Sequence, residues 1–105
     1  MIVYEVNLDV DAAIADAFGD WLESHVAAML ELPGFVDARR FDVLQPEPAD
    51  GRRGFCVQYR LSDQAALDDY LARHAAAMRK EGVDRFGTAF RAERRVLRPQ
   101  EAAPG

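Results

Sequence analysis

Along "IVYEVNL" the side chains alternate, with Ile2, Tyr4, Val6 and Leu8 on one side and Val3, Glu5 and Asn7 on the other. A period of two is what a strand with one buried face requires, so the chain is expected to open on a strand. The period then lengthens: Phe18, Leu22, His25 and Met29 recur at three- and four-residue spacing, which places them on one side of a helix. Asp9 or Asp11 can cap this helix, and it should stop near Leu30, because Pro33 cannot extend it and Gly34 allows a turn. Alternation returns in "FVDARRFDVLQ", a second strand. "PEPADGRRG" holds two prolines and Asp50-Gly51 and is short enough for an antiparallel hairpin into "FCVQYRLS". That third strand would bury Phe55, Val57, Tyr59 and Leu61. Ser62 or Asp63 caps a second helix, expected to persist to about Glu81 with Gly82 as the left-handed residue past its end. "TAFRAERRVLR" is the fourth strand. Residues 1–98 read as a single domain, and 99–105, "PQEAAPG", as a flexible tail with little to bury.

The order strand, helix, strand, strand, helix, strand divides into two halves. With the right-handed crossover that such units take, it gives an α+β fold: a four-stranded antiparallel sheet with two helices on one face. The halves echo each other. "DWLESHVAAM" from Asp20 and "DYLARHAAAM" from Asp69 share Asp, Leu, His, Ala, Ala and Met, and set the only two histidines, His25 and His74, at matching places. Either helices rich in Ala and Leu match by composition, or a pseudo-twofold axis gives both histidines similar surroundings.

With Phe18 at zero on a helical wheel, Leu22 falls at about 40°, His25 at about −20° and Met29 at about 20°; Leu67, Leu71, His74 and Met78 repeat those angles. Both histidines are thus expected in the apolar stripe facing the sheet, with Trp21, at about −60°, on its border. An imidazole there needs a partner or water, since an unpaired buried polar group costs about 1–3 kcal/mol. A partly polar gap between helices and sheet would supply one, and Tyr4, Tyr59 and Arg94 lie at positions that could line it. The simpler reading makes each histidine a core residue bonded to a tyrosine or a backbone carbonyl.

Half of the 105 residues are hydrophobic and 30% are charged, an ordinary globular composition. No segment approaches the roughly 20 apolar residues of a bilayer span, and "MIVYEVNLDV" does not read as a secretory signal, so a cytoplasmic location is expected. One cysteine, Cys56, has no internal partner. A net charge of −5 disfavours nucleic acid and anionic membranes as partners. "RGFCVQY" resembles the aromatic third-strand motif of RNA-recognition domains, but it is one residue short, and turning Phe55 and Tyr59 outward would put Gln58 and Arg60 into the core.

Metal-ligand spacings, nucleophile elbows and glycine-rich phosphate loops are missing, so no metal and no cofactor are expected. Arg79, Lys80 and Arg85 read as complements to the dipole at the end of the second helix. On the sheet face away from the helices fall Glu5, Asn7, Cys56, Gln58, Arg60, Arg91, Glu93 and Arg95. A small domain gains from further burial, and an arginine–carboxylate pattern suits pairing, so a homodimer through that face is expected.

Taken together, "DWLESHVAAML", "FCVQYRLSDQAALDDYLARHAAAMRKEGVDRFG" and "FRAERRVL" resemble a family of short bacterial proteins, the domain of unknown function 4286, from Met1 to about Arg98. The resemblance implies a ferredoxin-like fold of the dimeric α/β-barrel type, with two sheets face to face and the helices outside. It supplies no activity, because that family has no established catalytic residues. Three functions stay open: a small-molecule binding domain with its pocket between helices and sheet; a cofactor-free, monooxygenase-like enzyme acting on a small organic acid or aromatic substrate with His25 or His74 as acid or base; and a dimeric interaction module without a pocket.

Overall fold

A computed structural model describes residues 1–100; residues 101–105, most of the expected tail, lie outside the described residues. The chain forms strand β1 (Ile2–Asp11), helix α1 (Ala15–Leu30), strands β2 (Phe35–Asp42) and β3 (Arg52–Leu61), helices α2 (Gln64–Arg73) and α3 (Ala75–Phe86), and strand β4 (Phe90–Leu97). The sheet is antiparallel in the order β2-β3-β1-β4, with β1 paired to β3 on one side and to β4 on the other. This is the α+β sheet-and-helix order that the alternation predicts and the ferredoxin-like fold that the resemblance implies.

Local chemistry sets the boundaries. Asp11 accepts a hydrogen bond from the Ala13 amide, capping a short 3-10 turn (Ala12–Ile14) that leads into α1. Asp63 does the same for α2 through the Ala66 amide. Gly34 takes a positive φ of 84° between α1 and β2, where a side chain would be strained and a Cβ would collide with Ala66.

Inward-facing residues of β1 and β3, among them Tyr4, Leu8, Val10, Phe55, Val57, Tyr59 and Leu61, are buried under the helices, so the "RGFCVQY" aromatics belong to the core. Phe18 is fully buried and joins the layers, its ring 5.1 Å from Phe86, 5.0 Å from Phe90 and 6.1 Å from Phe55. Burying such a side chain contributes about 1.5–3 kcal/mol.

The second helical region departs from expectation in four ways. It is broken at His74, whose backbone (φ −124°) leaves helical geometry, and it then runs on to Phe86 rather than ending near Glu81. Gly82 stays helical, and the positive φ falls to Gly87 at 57°. Gly82 is needed for space instead: a Cβ there would stand 3.0 Å from the Trp21 ring and 3.2 Å from Phe90. Leu71, placed in the apolar stripe by the wheel, is 43% exposed, because Tyr70 takes the inward position, its ring 5.6 Å from Tyr4 and 5.2 Å from Phe35.

The two halves are therefore not equivalent around their histidines. His25 lies within an unbroken helix, whereas His74 ends one helix and begins another, donating its amide to the Tyr70 carbonyl.

Candidate functional site

Between α1, α3 and the β1–β4 side of the sheet lies a cavity of about 290 Å³. β1 and β4 pair in the register Val6↔Arg94 and Leu8↔Ala92, so these four side chains share the sheet face that forms its floor. Trp21 and His25 supply one wall from α1; Met78, Arg79 and Val83 supply the other from α3. Gly82 keeps the walls close to each other without filling the space between them.

Four of the five residues singled out from the sequence, Tyr4, His25, Tyr59 and Arg94, line this cavity; His74 is not among its lining residues. The helix break accounts for that, since it carries the half-buried His74 out of the phase that His25 holds on α1.

The cavity has further lining residues that the sequence does not single out for the site, Arg79, Tyr70 and Trp21 among them. Arg79 donates through Nη2 to the Tyr4 hydroxyl at 3.0 Å, so it serves the cavity rather than only the helix end. Tyr70 and Trp21 complete the aromatic lining. Trp21 stands on the stripe border and is half-buried, as its wheel angle predicts. For Arg79 the usable signal is its place one residue after inward-facing Met78; for Tyr70 it is an aromatic flanking the stripe.

The His25 side chain is only 13% exposed and stacks on Trp21, ring centres 4.6 Å apart. Its Nδ1 is buried with no hydrogen-bond partner and stands 3.6 Å from Glu81 Oε2. That distance is within reach of an ion pair, but the pKa of His25 lies below the ordinary 6.5: burial is the main cause, Arg94 adds to it and Glu81 opposes it. The contact at neutral pH is therefore one between a neutral imidazole and a carboxylate. Burial also raises the Tyr59 hydroxyl well above its ordinary range and pushes Tyr70 up to about 12, against the pull of Arg79 and Arg94 on Tyr70. Both phenols are protonated donors at neutral pH.

On the opposite face of the sheet, Glu5 is a carboxylate only 2% exposed. It accepts hydrogen bonds from Asn7 at 2.8 Å, Gln58 at 3.0 Å and Arg95 at 2.7 Å, and the bond from Arg95 is the main reason its pKa lies below 4.5. Cys56 is buried on that face, and burial followed by the charge of Glu5 raises its pKa, so it is a protonated thiol, apart from the histidines. Among the described residues no three His, Cys, Asp or Glu side chains group as metal ligands, and no helix is long and apolar enough to cross a membrane.

The chain belongs to the family described as a domain of unknown function, DUF4286, whose model matches residues 1–100. No curated protein matches it. Among solved structures it is similar to a Deinococcus radiodurans protein provisionally named an antibiotic biosynthesis monooxygenase, with a TM-score of 0.73, 15% identity and coverage of 99% of this chain and 97% of the other. It is also similar to SnoaB, a cofactor-independent oxygenase from Streptomyces nogalater (TM-score 0.67, 14% identity, 99% and 98% covered). A third similar structure is a dimeric ferredoxin-like protein from an uncultured marine organism (0.70, 13%, 91% and 92%). At such identities these likenesses establish the shared fold and nothing about chemistry.

Proposed function

We propose that the chain is a small-molecule binding domain whose ligand occupies the cavity between helices and sheet, and that it works as a homodimer joined through the opposite sheet face. The observation that carries the reading is the cavity itself, about 290 Å³, with aromatic and aliphatic walls and a few convergent polar groups. Small-molecule sites have that composition. Binding is tested by adding phenylnaphthylamine, an apolar probe that accepts energy from tryptophan, and exciting Trp21, the only tryptophan in the chain. Saturable transfer that disappears in Ala92→Phe, where the new ring fills the floor, supports the reading; no transfer, or undiminished transfer in the variant, contradicts it.

The dimer rests on shape and on the bare sheet. The molecule is a slab of 42 × 38 × 18 Å, with helices covering one side only. The other side presents Phe41, 43% exposed, among the paired charges Arg60–Asp37 and Arg95–Glu5. A second copy related by a twofold axis would cover this face and add apolar burial, and a similar structure is described as dimeric. Sedimentation at micromolar concentration should give twice the chain mass; the mass of one chain would exclude this assembly.

A second reading has its own observation. His25 presents a neutral imidazole beside the cavity, which is what a general base requires, so a cofactor-free reaction on the bound molecule is the alternative. Turnover of a bound acidic substrate that His25→Gln abolishes, with binding retained, would favour it over binding alone.

A further inference from the structure

We infer that the cavity selects a molecule with an apolar body and one anionic head group, the head held by Arg79 and Arg94 at the mouth and the body lying inward against Trp21 and Met78. This rests on the reading of the cavity as a ligand site. What it adds is the charge of the ligand.

The inference starts from how the cations of this chain are used. Arg52 pairs with Asp9, Arg53 with Asp16 and Asp42, Arg60 with Asp37, Arg73 with Asp69, Lys80 with Asp84 and Arg95 with Glu5. With 18 acidic residues against 13 basic ones, carboxylates are plentiful. Yet seven cations make no ion pair with a described residue, Arg39, Arg40, Arg79, Arg85, Arg91, Arg94 and Arg98, and of these only Arg79 and Arg94 line the cavity. Arg79 has only the Tyr4 hydroxyl, and Arg94 has no side-chain hydrogen bond among the described residues.

The two cations come from α3 and from the sheet floor on β4 and line the same space, together with Tyr4, whose hydroxyl Arg79 holds, and the charge of each opposes the raised pKa of Tyr70. With no carboxylate committed to them and both exposed at the mouth of an apolar space, the two guanidinium groups are open to an anion from solution. A carboxylate, sulfonate or phosphate would supply charge-assisted hydrogen bonds from both. Glu81 stands 3.6 Å from Nδ1 of His25 and makes no ion pair with either arginine. Both arginines are exposed at the surface, so the head group belongs at the mouth, with deeper lining residues such as Leu22 and Val57 left for the apolar part.

The test compares anilinonaphthalene sulfonate with phenylnaphthylamine, which share their aromatic body and differ by the anionic group. Arg79→Gln and Arg94→Gln are each expected to weaken the sulfonate about tenfold, the loss of one charge-assisted bond, and to leave the uncharged probe within about twofold. Retained binding of the uncharged probe also shows that the variant is folded. If both probes bind and neither substitution separates them, the anionic head group is wrong and the cavity still stands as a site. If the uncharged probe shows no energy transfer from Trp21 in the unsubstituted protein, the cavity reading fails and this inference with it.

Discussion

His25 Nδ1 and Glu81 Oε2 face each other at 3.6 Å, one atom buried without a hydrogen-bond partner and the other on a side chain 55% exposed. A proton on Nδ1 would turn the contact into an ion pair, but burial of the ring outweighs Glu81 and keeps the pKa below 6.5. As the pH falls, the unfolded chain therefore takes up this proton before the folded one does.

Stability should consequently be highest above about pH 6.5 and decline as the pH drops below it. Urea unfolding at pH 7.5 and at 5.5 checks the sign, since Glu5 does not contribute until the pH nears its ordinary 4.5. His25→Gln should flatten the dependence in that window. An equally steep decline in the variant would place the titrating group elsewhere.

The two histidines should respond unequally to truncation. His25→Ala removes a ring stacked on Trp21 and packed at the cavity wall, and should cost about 2–3 kcal/mol. His74→Ala alters a half-buried residue at a helix break, where alanine costs nothing in propensity, and should stay within about 1 kcal/mol. Equal losses in urea would restore the symmetry that the repeated sequence implies and the helix break removes.

Replacing Glu5 by Gln turns one acceptor oxygen into a donor facing Asn7, Gln58 or Arg95, all of which already donate. The expected cost is about 1–3 kcal/mol at neutral pH. Because the folded pKa of Glu5 is depressed, its contribution is present above about pH 4.5 and fades as the pH falls further. The difference between Glu5→Gln and the parent should therefore shrink in acid; a difference independent of pH would exclude the charge as its origin.

Gly82→Ala pits helix propensity against space. Alanine is favoured by about 1 kcal/mol within a helix, but its Cβ would be pinched between Trp21 at 3.0 Å and Phe90 at 3.2 Å. Overpacking of this kind costs about 1–3 kcal/mol, so a net loss near 1 kcal/mol with a shifted Trp21 emission is expected. A more stable protein with unchanged emission would show that both rings yield freely.

Much of this was legible in the chain because strands and helices announce themselves by period. Tyr4, Tyr59 and Arg94 could be assigned to the helix-facing side of the sheet by alternation alone, and His25 to α1 by helical spacing. Helical spacing misplaces His74, since the break that displaces it carries no proline or glycine to mark it. Gly82 misled for a related reason: a glycine near a helix end reads as a cap, while its use here depends on Trp21, 61 residues earlier in the chain. Arg79 reads locally as a charge at a helix end, although its partner Tyr4 lies on β1.

The most direct measurement is fluorine NMR on protein labelled with fluorotryptophan, because Trp21 is the only site labelled and it forms a wall of the cavity. Titrating anilinonaphthalene sulfonate should move the single resonance saturably, with the same midpoint as the probe's fluorescence, and Ala92→Phe should abolish the shift. Probe fluorescence that rises and saturates while the Trp21 resonance stays still would mean that the molecule binds elsewhere on the protein, and that the space between helices and sheet is not a ligand site.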